Sequence, residues 1–356
     1  MLKKATALFL VCVGIATWMA CGKNQTHFVY AAVPGPSELA VYREDPNSGV
    51  LTALTGSPFT IGPTPQSVVL HPSGKFFYVS NAGQSNISLF TISSTGVPTE
   101  VTPRTATGTT PLLLVMDSTG AFLYAASAFS NNIYAYSIDP KSGALTVVGA
   151  PIGIGLSPLN MKLSPNGNFL YVTSAETNSV GIVQAFSVDA GVLTPVAGSP
   201  FQTGPNPNGL AISTGGDFLY TADSAINSIS EFSIDSTGAL TELPDSPFGQ
   251  ASNFSNPVAV LVDPSGKYLY VSNENSSNLS GYTIGSDGGL TALSQTSFTT
   301  GSQPNFTVMD SSGKYMLVGL QSGSIQVFVL DPDTGILTAE STYSIGSTPS
   351  SIAITQ

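Results

Sequence analysis

One sequence pattern recurs along the chain at nearly equal intervals, and it restricts the possible folds more than any other feature. Its clearest copy is Pro257-Val-Ala-Val-Leu-Val-Asp-Pro-Ser-Gly-Lys-Tyr-Leu-Tyr-Val-Ser-Asn273. This reads as an apolar strand, a tight turn and a second strand with alternating aromatics. The central aromatic recurs at Tyr30, Tyr78, Tyr124, Tyr171, Tyr220 and Tyr270, and Leu317 takes the seventh place. The intervals are 48, 46, 47, 49, 50 and 47 residues. A fixed period in this range marks a solenoid, a propeller or an array.

Each unit contains four strand-like pieces. Piece A opens on proline, at Pro65, Pro111, Pro158, Pro207, Pro257, Pro304 and Pro349, and continues as an apolar run. Proline suits the first residue of a strand, where no ladder donor is lost. A turn ending in glycine (Gly74, Gly120, Gly167, Gly216, Gly266, Gly313) leads to piece B, the aromatic strand. Glycine there supplies the positive φ that a tight hairpin needs. Piece C carries an aromatic at Tyr42, Phe90, Tyr136, Phe186, Phe232, Tyr282 and Phe328. Piece D follows a Gly-x-Leu-Thr signature, as in Gly49–Thr52 and Gly238–Thr241. The copy near residue 290 reads as a shortened Gly289-Leu-Thr291, and Gly96-Val-Pro-Thr99 deviates.

The two ends decide how the units are arranged. The repeats begin with pieces B, C and D from Phe28 and finish on a lone piece A at Pro349–Thr355. The last strand is therefore expected to complete the first unit, which removes the open sheet edges. The predicted fold is all-β: a seven-bladed β-propeller of four-stranded blades spanning residues 28–356. A linear solenoid would need distinct polar capping repeats, and none is visible.

Residues 1–20 read as an export signal. Lys3 and Lys4 precede an apolar stretch, Ala5–Ala20, that is short for a spanning helix. Ala20-Cys21 resembles a bacterial lipoprotein processing site, although Trp18 departs from the aliphatic residue usual there. Cys12 lies inside the signal, so cleavage leaves Cys21 as the single cysteine, and no intramolecular disulfide can form. Lipidation of Cys21 gives that residue a role. Residues 21–27 are then the lipidated cysteine and a short tether. Gly22–Thr26 would reach roughly 17 Å at about 3.3 Å per residue. The expected address is the bacterial cell envelope, lipid-anchored at the outer membrane, or otherwise periplasmic or secreted. Gly22, rather than Asp, after the cysteine is what favours the outer membrane in the lipoprotein resemblance.

Ten Lys and Arg face twenty-one Asp and Glu, a net charge of −11. That balance opposes nucleic-acid binding, which depends on neutralising phosphates. It also opposes docking on anionic lipid, so membrane contact is expected through the anchor only.

The Tyr-Val-Ser-Asn runs (Tyr78–Asn81, Tyr270–Asn273) and the Pro-Ser-Gly-Lys-x-x-Tyr-Val pattern resemble the YVTN-type propellers. They resemble in particular the bacterial lactonase, or 6-phosphogluconolactonase-like, seven-bladed family, over the whole mature chain. That resemblance implies a lactone-opening activity in some members. The cationic residues expected to hold a phosphate are missing from the mouth formed by the D–A and B–C connections. His27 and His71 fall elsewhere, and no catalytic residue carries over from the family.

Lys162 interrupts an apolar A strand. It is expected to face the channel, either contacting an anion or carbonyl or pairing with a carboxylate in water. Glu176, Asp223 and Glu274 follow the B strands of three successive units. With Asn160, Asn208, Asn273 and Asn305 they are expected to form a mildly acidic rim. Such a rim suits a sugar, a peptide amine or a hard cation, or is ordinary hydrated turn chemistry. No dedicated metal loop or cofactor motif is present. The sequence thus reads as a monomeric envelope scaffold binding a protein partner or a small polar ligand. The alternative is a lactonase-type hydrolase acting on a sugar-acid or other lactone.

Overall fold

The computed structural model describes residues 26–175, 180–248 and 254–355. Among the described residues every regular element is a β-strand, and the strands form seven antiparallel sheets. The sheet that starts at Pro257 is representative. Its strands A to D are Pro257–Val262, Tyr268–Asn273, Asn278–Ile284 and Leu290–Thr299. Blades are numbered here from the N-terminus, so this one is blade 6.

Blade 1 is assembled from both ends of the chain. Ser351–Ile354 pairs with His27–Val33 as the inner strand, with Tyr30 opposite Ala353. Each inner strand lies against the next one around the complete ring. The protein is therefore a closed seven-bladed propeller with four-stranded blades.

Its core is divided into seven interfaces between neighbouring blades. Tyr30, Leu39 and Val41 of blade 1 pack on Phe77, Val79 and Phe90 of blade 2. Tyr171, Val183 and Ala185 of blade 4 pack on Leu210, Leu219 and Phe232 of blade 5. A strand buried on both sides needs apolar residues at consecutive positions, which is why the A and B pieces lack simple alternation.

The repeated aromatic and the Gly-x-Leu-Thr signature are two halves of one clasp. The hydroxyls of Tyr30, Tyr78, Tyr171, Tyr220 and Tyr270 donate to the carbonyls of Gly96, Gly143, Gly238, Gly288 and Gly335 in the next blade, at 2.6 to 3.1 Å. The glycine is required at this point. Gly238 has φ +83°, and a Cβ there would stand 2.3 Å from the Phe169 ring. In blade 6 the clasping residue is Gly288, with φ +86°. The blade 6 signature is therefore a full-length Gly288-Gly-Leu-Thr291, not a shortened one. Glycine at the following position hid the register.

Candidate functional site

Strand A starts at one face of the ring, and strand B returns to that face. The loops there form the mouth of the central channel. Their backbone is held in an unusual conformation: Thr64, Thr110, Asn206 and Asn256, each just before an A-strand proline, have φ between 53° and 60°. Side-chain-bearing residues disfavour this region, so it needs support. In each case the carbonyl accepts the N–H of the first residue beyond strand B (Ala82, Ala128, Ser224, Glu274) at 2.9 to 3.0 Å. The mouth is thus a cross-braced ring of loops.

Directly beneath these loops lies the last residue of strand B. Asn273 is fully buried, and its amide donates to Asn278 Oδ1 at 2.8 Å and Ser280 Oγ at 2.7 Å. Asn81 does the same with Asn86 and Ser88. Asp223 takes this place in blade 5 and is likewise sealed from solvent. Its carboxylate accepts from Ser230 Oγ at 2.6 Å and Thr221 Oγ1 at 3.0 Å. Burial pushes its pKa up to about 6, with the hydroxyl donors acting in the opposite direction. Asp223 and Asn273 therefore brace the mouth from below.

Glu274, one residue further on, is half-buried at the rim. It accepts from the side chains of Asn256 and Gln321, which joins blade 6 to blade 7. Asn305 donates to Pro349 O at 2.6 Å. Asn160 donates to Asn208 O at 3.0 Å, and Asn208 in turn reaches Ser224 Oγ at 2.9 Å. Asn160 and Asn208 are thus brought together, and Asn305 and Glu274 line other sectors. Glu176 and Cys21 lie outside the described residues.

Lys162 stands deeper. It pairs in register with Tyr171, at the level of Val69, Val115, Ala211, Leu261, Val308 and Ala353 of the other inner strands. One amine therefore interrupts an otherwise apolar ring. It lies four residues past Pro158, roughly 13 Å along the wall at about 3.3 Å per residue. Residues two apart share a strand face, so Asn160 and Lys162 lie on the same side. Lys162 is exposed although it belongs to an innermost strand, and the water that reaches it is channel water. Protein surrounding it lowers its pKa by desolvation. Among the described residues the ion pairs are His27–Glu44 and Arg104–Glu100. Among the described residues no carboxylate pairs with Lys162.

The other described cations lie elsewhere. Arg104 is held by Glu100 and Gln84 in an outer strand, and Lys314 reaches Asn47 O on the opposite face. His71 bonds Gly120 O, again far from the mouth. Among the described residues no cluster of three His, Cys, Asp or Glu is placed to hold a metal. A cleft of about 360 Å³ opens on the opposite face between Asn166, Phe169, Asp217 and Asp235. Asn166 and Asp235 there are occupied by their own turns, bonding Ser164, Asn168, Thr237 and Ala239.

Sequence reasoning missed three exposed apolar residues at the mouth. Phe129 is 80% exposed, Val180 58% and Ile226 44%, in the B–C loops of blades 3, 4 and 5. The matching loops of blades 2, 6 and 7 carry Gln84, Asn275 and Ser322. Only the ring geometry shows that the three apolar residues share one side.

The profile of the family described as "Lactonase, 7-bladed beta-propeller" matches residues 59–157, 154–252 and 243–354. The chain belongs to this lactonase family. No curated protein matches it in sequence. Among solved structures it is similar to a candidate 6-phosphogluconolactonase from Bacteroides fragilis, with TM-score 0.79 and 20% identity over 94% of this chain and 99% of that one. It is also similar to a periplasmic gluconolactonase from Pseudomonas aeruginosa, with TM-score 0.79 and 17% identity over 93% and 99% of the two chains. At such identities the likeness establishes the shared lactonase-type fold.

Proposed function

We propose that this propeller is a lactone hydrolase whose substrate enters the mouth of the central channel and carries no phosphate. Lys162 carries the reading. It is an exposed amine with a lowered pKa and, among the described residues, no carboxylate partner, set in an apolar ring below the amides of Asn160 and Asn208. Family membership supports lactone chemistry in place of the scaffold role that the sequence favoured. Desolvation lowers the Lys162 pKa, the direction that suits an amine to general-base work. As a water attacks the lactone carbonyl carbon, neutral Lys162 takes its proton. The resulting ammonium returns that proton to the ring oxygen as the C–O bond breaks, giving the open hydroxy acid. Lys162 is the only described cation placed for the channel, so a phosphate group would find no second positive partner. Lys162→Met keeps the stem and removes the amine. It is expected to lower kcat/KM by about 10²-fold or more, and unchanged turnover would exclude Lys162 as the base.

We further propose that Cys21 is lipidated and holds the protein in the cell envelope. The first strand starts at His27, at the end of blade 1 opposite the mouth. An anchor at Cys21 would therefore leave the mouth facing away from the membrane. Retention of a Cys21→Ser variant in the membrane fraction would refute the anchor.

A further inference from the structure

The seam where blade 1 closes on blade 7 contains a buried charge pair. His27 opens strand B of blade 1, and its Nδ1 lies 3.3 Å from Glu44 Oε2 on strand C. Both residues are buried, and neither that nitrogen nor the carboxylate has a hydrogen-bond partner. Glu44 stands two residues past the strand C aromatic, where the other blades carry Ile92, Ile138, Val188, Ile234, Ile284 and Leu330. Residues two apart share a strand face. Glu44 therefore follows Ala40 and Tyr42 toward blade 7, and His27 precedes Val29 and Ala31 on the same side. Burial, with the charge of Asp310 in blade 7, pushes the Glu44 carboxyl up to about 7. Asp310 accepts the N–H groups of Lys314 and Tyr315. Lys314 Nζ and Tyr315 OH both donate to Asn47 O. Arg43 lies on the opposite face of strand C, and Asp45 accepts the Asn47 N–H in the turn beyond. Among the described residues His27 is the only ion-pair partner of Glu44.

This seam has fewer other bonds than its neighbours. The closing strand Ser351–Ile354 has four residues, where the inner strands of blades 2 to 7 have six. Leu317 takes the place of the clasping tyrosine in blade 7 and carries no hydroxyl. We propose that ring closure is proton-controlled: one proton shared between the His27 imidazole and the Glu44 carboxylate holds blade 1 against blade 7, and its loss lets the closing strand detach. With the proton the pair is neutral overall, as imidazolium and carboxylate or as imidazole and carboxylic acid. Without it the seam holds a buried carboxylate that faces Asp310 and has no cation, which is costly. The sign follows from the raised carboxyl. Its contribution to closure is complete below the unfolded value of 4.5 and is lost as pH rises through about 7.

The test is amide hydrogen exchange, read by mass spectrometry on the chain from Gly22 onward and corrected at each pH for the intrinsic exchange rate. The corrected rate gives the opening constant of each strand. A carboxyl shifted from 4.5 to about 7 is expected to raise the opening constant of Ser351–Ile354 and His27–Val33 by about tenfold from about pH 6 to about pH 8.5. Strand B of blade 3, Phe122–Ser127, is the reference and should change much less. Glu44→Ile installs the residue that blades 2, 3, 5 and 6 carry at this place, and its closing strand should open to the same extent at both pH values. Glu44→Gln keeps the shape, removes the titration and should behave alike, which guards against a variant that packs poorly. A wild-type opening constant that does not rise with pH would overturn the proposal. So would an equal rise in the blade 3 reference strand, or a rise that persists in both Glu44 variants.

Discussion

Replacing Asp223 by asparagine should stabilise the protein, and only above a certain pH. Asp223 is fully buried under the mouth loops, in the place that Asn81 and Asn273 hold in blades 2 and 6. Its pKa is raised by burial from 3.8 to about 6. A carboxyl raised in this way binds its proton more tightly in the folded state than in the unfolded one. Below about pH 4 it is protonated in both states and imposes no ionisation cost. As pH rises through about 6 the fold must ionise a buried group, and stability is lost. The gap between 3.8 and about 6 corresponds to about 3 kcal/mol at about 1.36 kcal/mol per pH unit.

Asparagine removes this cost and supplies an N–H. Ser228 stands where Asn86 and Asn278 accept the amide in the other blades, and its buried hydroxyl has no partner. The new amide can donate to it, and Thr221 still donates to the amide oxygen. At pH 8 the gain should be about 1–3 kcal/mol, or roughly 1–4 °C in Tm at about 2.1 cal/mol/K per residue over the propeller. At pH 4 the two proteins should melt together. Thermal unfolding followed by circular dichroism from pH 4 to 8 decides this. A Tm difference independent of pH, or a loss of stability at pH 8, would refute the reasoning.

Other consequences follow from the clasp, the buried acids and the channel. Tyr270→Phe removes the donor to Gly335 O and should cost about 1–3 kcal/mol by leaving a buried carbonyl unpaired. Tyr124, whose buried hydroxyl has no partner, should tolerate the same change nearly neutrally, and parallel melts compare the two. Gly238→Ala combines positive φ with a 2.3 Å approach to Phe169; it should lower Tm more than Tyr270→Phe. Glu231 is buried and raised by burial and nearby Asp245 to about 7. Glu231→Gln should therefore stabilise the fold as pH rises through 7 and have no such effect below about pH 4.5, as read by the same melts. In a hydrolase using neutral Lys162 as base, kcat/KM should rise with pH to a plateau, with a midpoint below the ordinary lysine value of 10.5.

The ring was legible in the sequence because each blade repeats residues that backbone geometry demands. The proline that opens strand A, the turn glycine and the clasping tyrosine all recur at fixed offsets. Blade closure followed from the unequal ends. The mouth was only partly legible. Counted from the central aromatic, Asp223 and Asn273 both fall three residues on and Glu274 four, so the offset that separates a buried brace from a rim residue was present in the spacing. The shared side of Phe129, Val180 and Ile226 was not legible, since it depends on how the loops of successive blades converge.

The most direct test of the central claim is steady-state hydrolysis, by the chain from Gly22 onward, of a panel pairing unphosphorylated lactones with 6-phosphogluconolactone, beside Lys162→Met. The account predicts opening of unphosphorylated lactones well above the spontaneous rate, loss of that activity in the variant, and little or no turnover of the phosphorylated lactone. Efficient opening of 6-phosphogluconolactone, or full activity without Lys162, would contradict it.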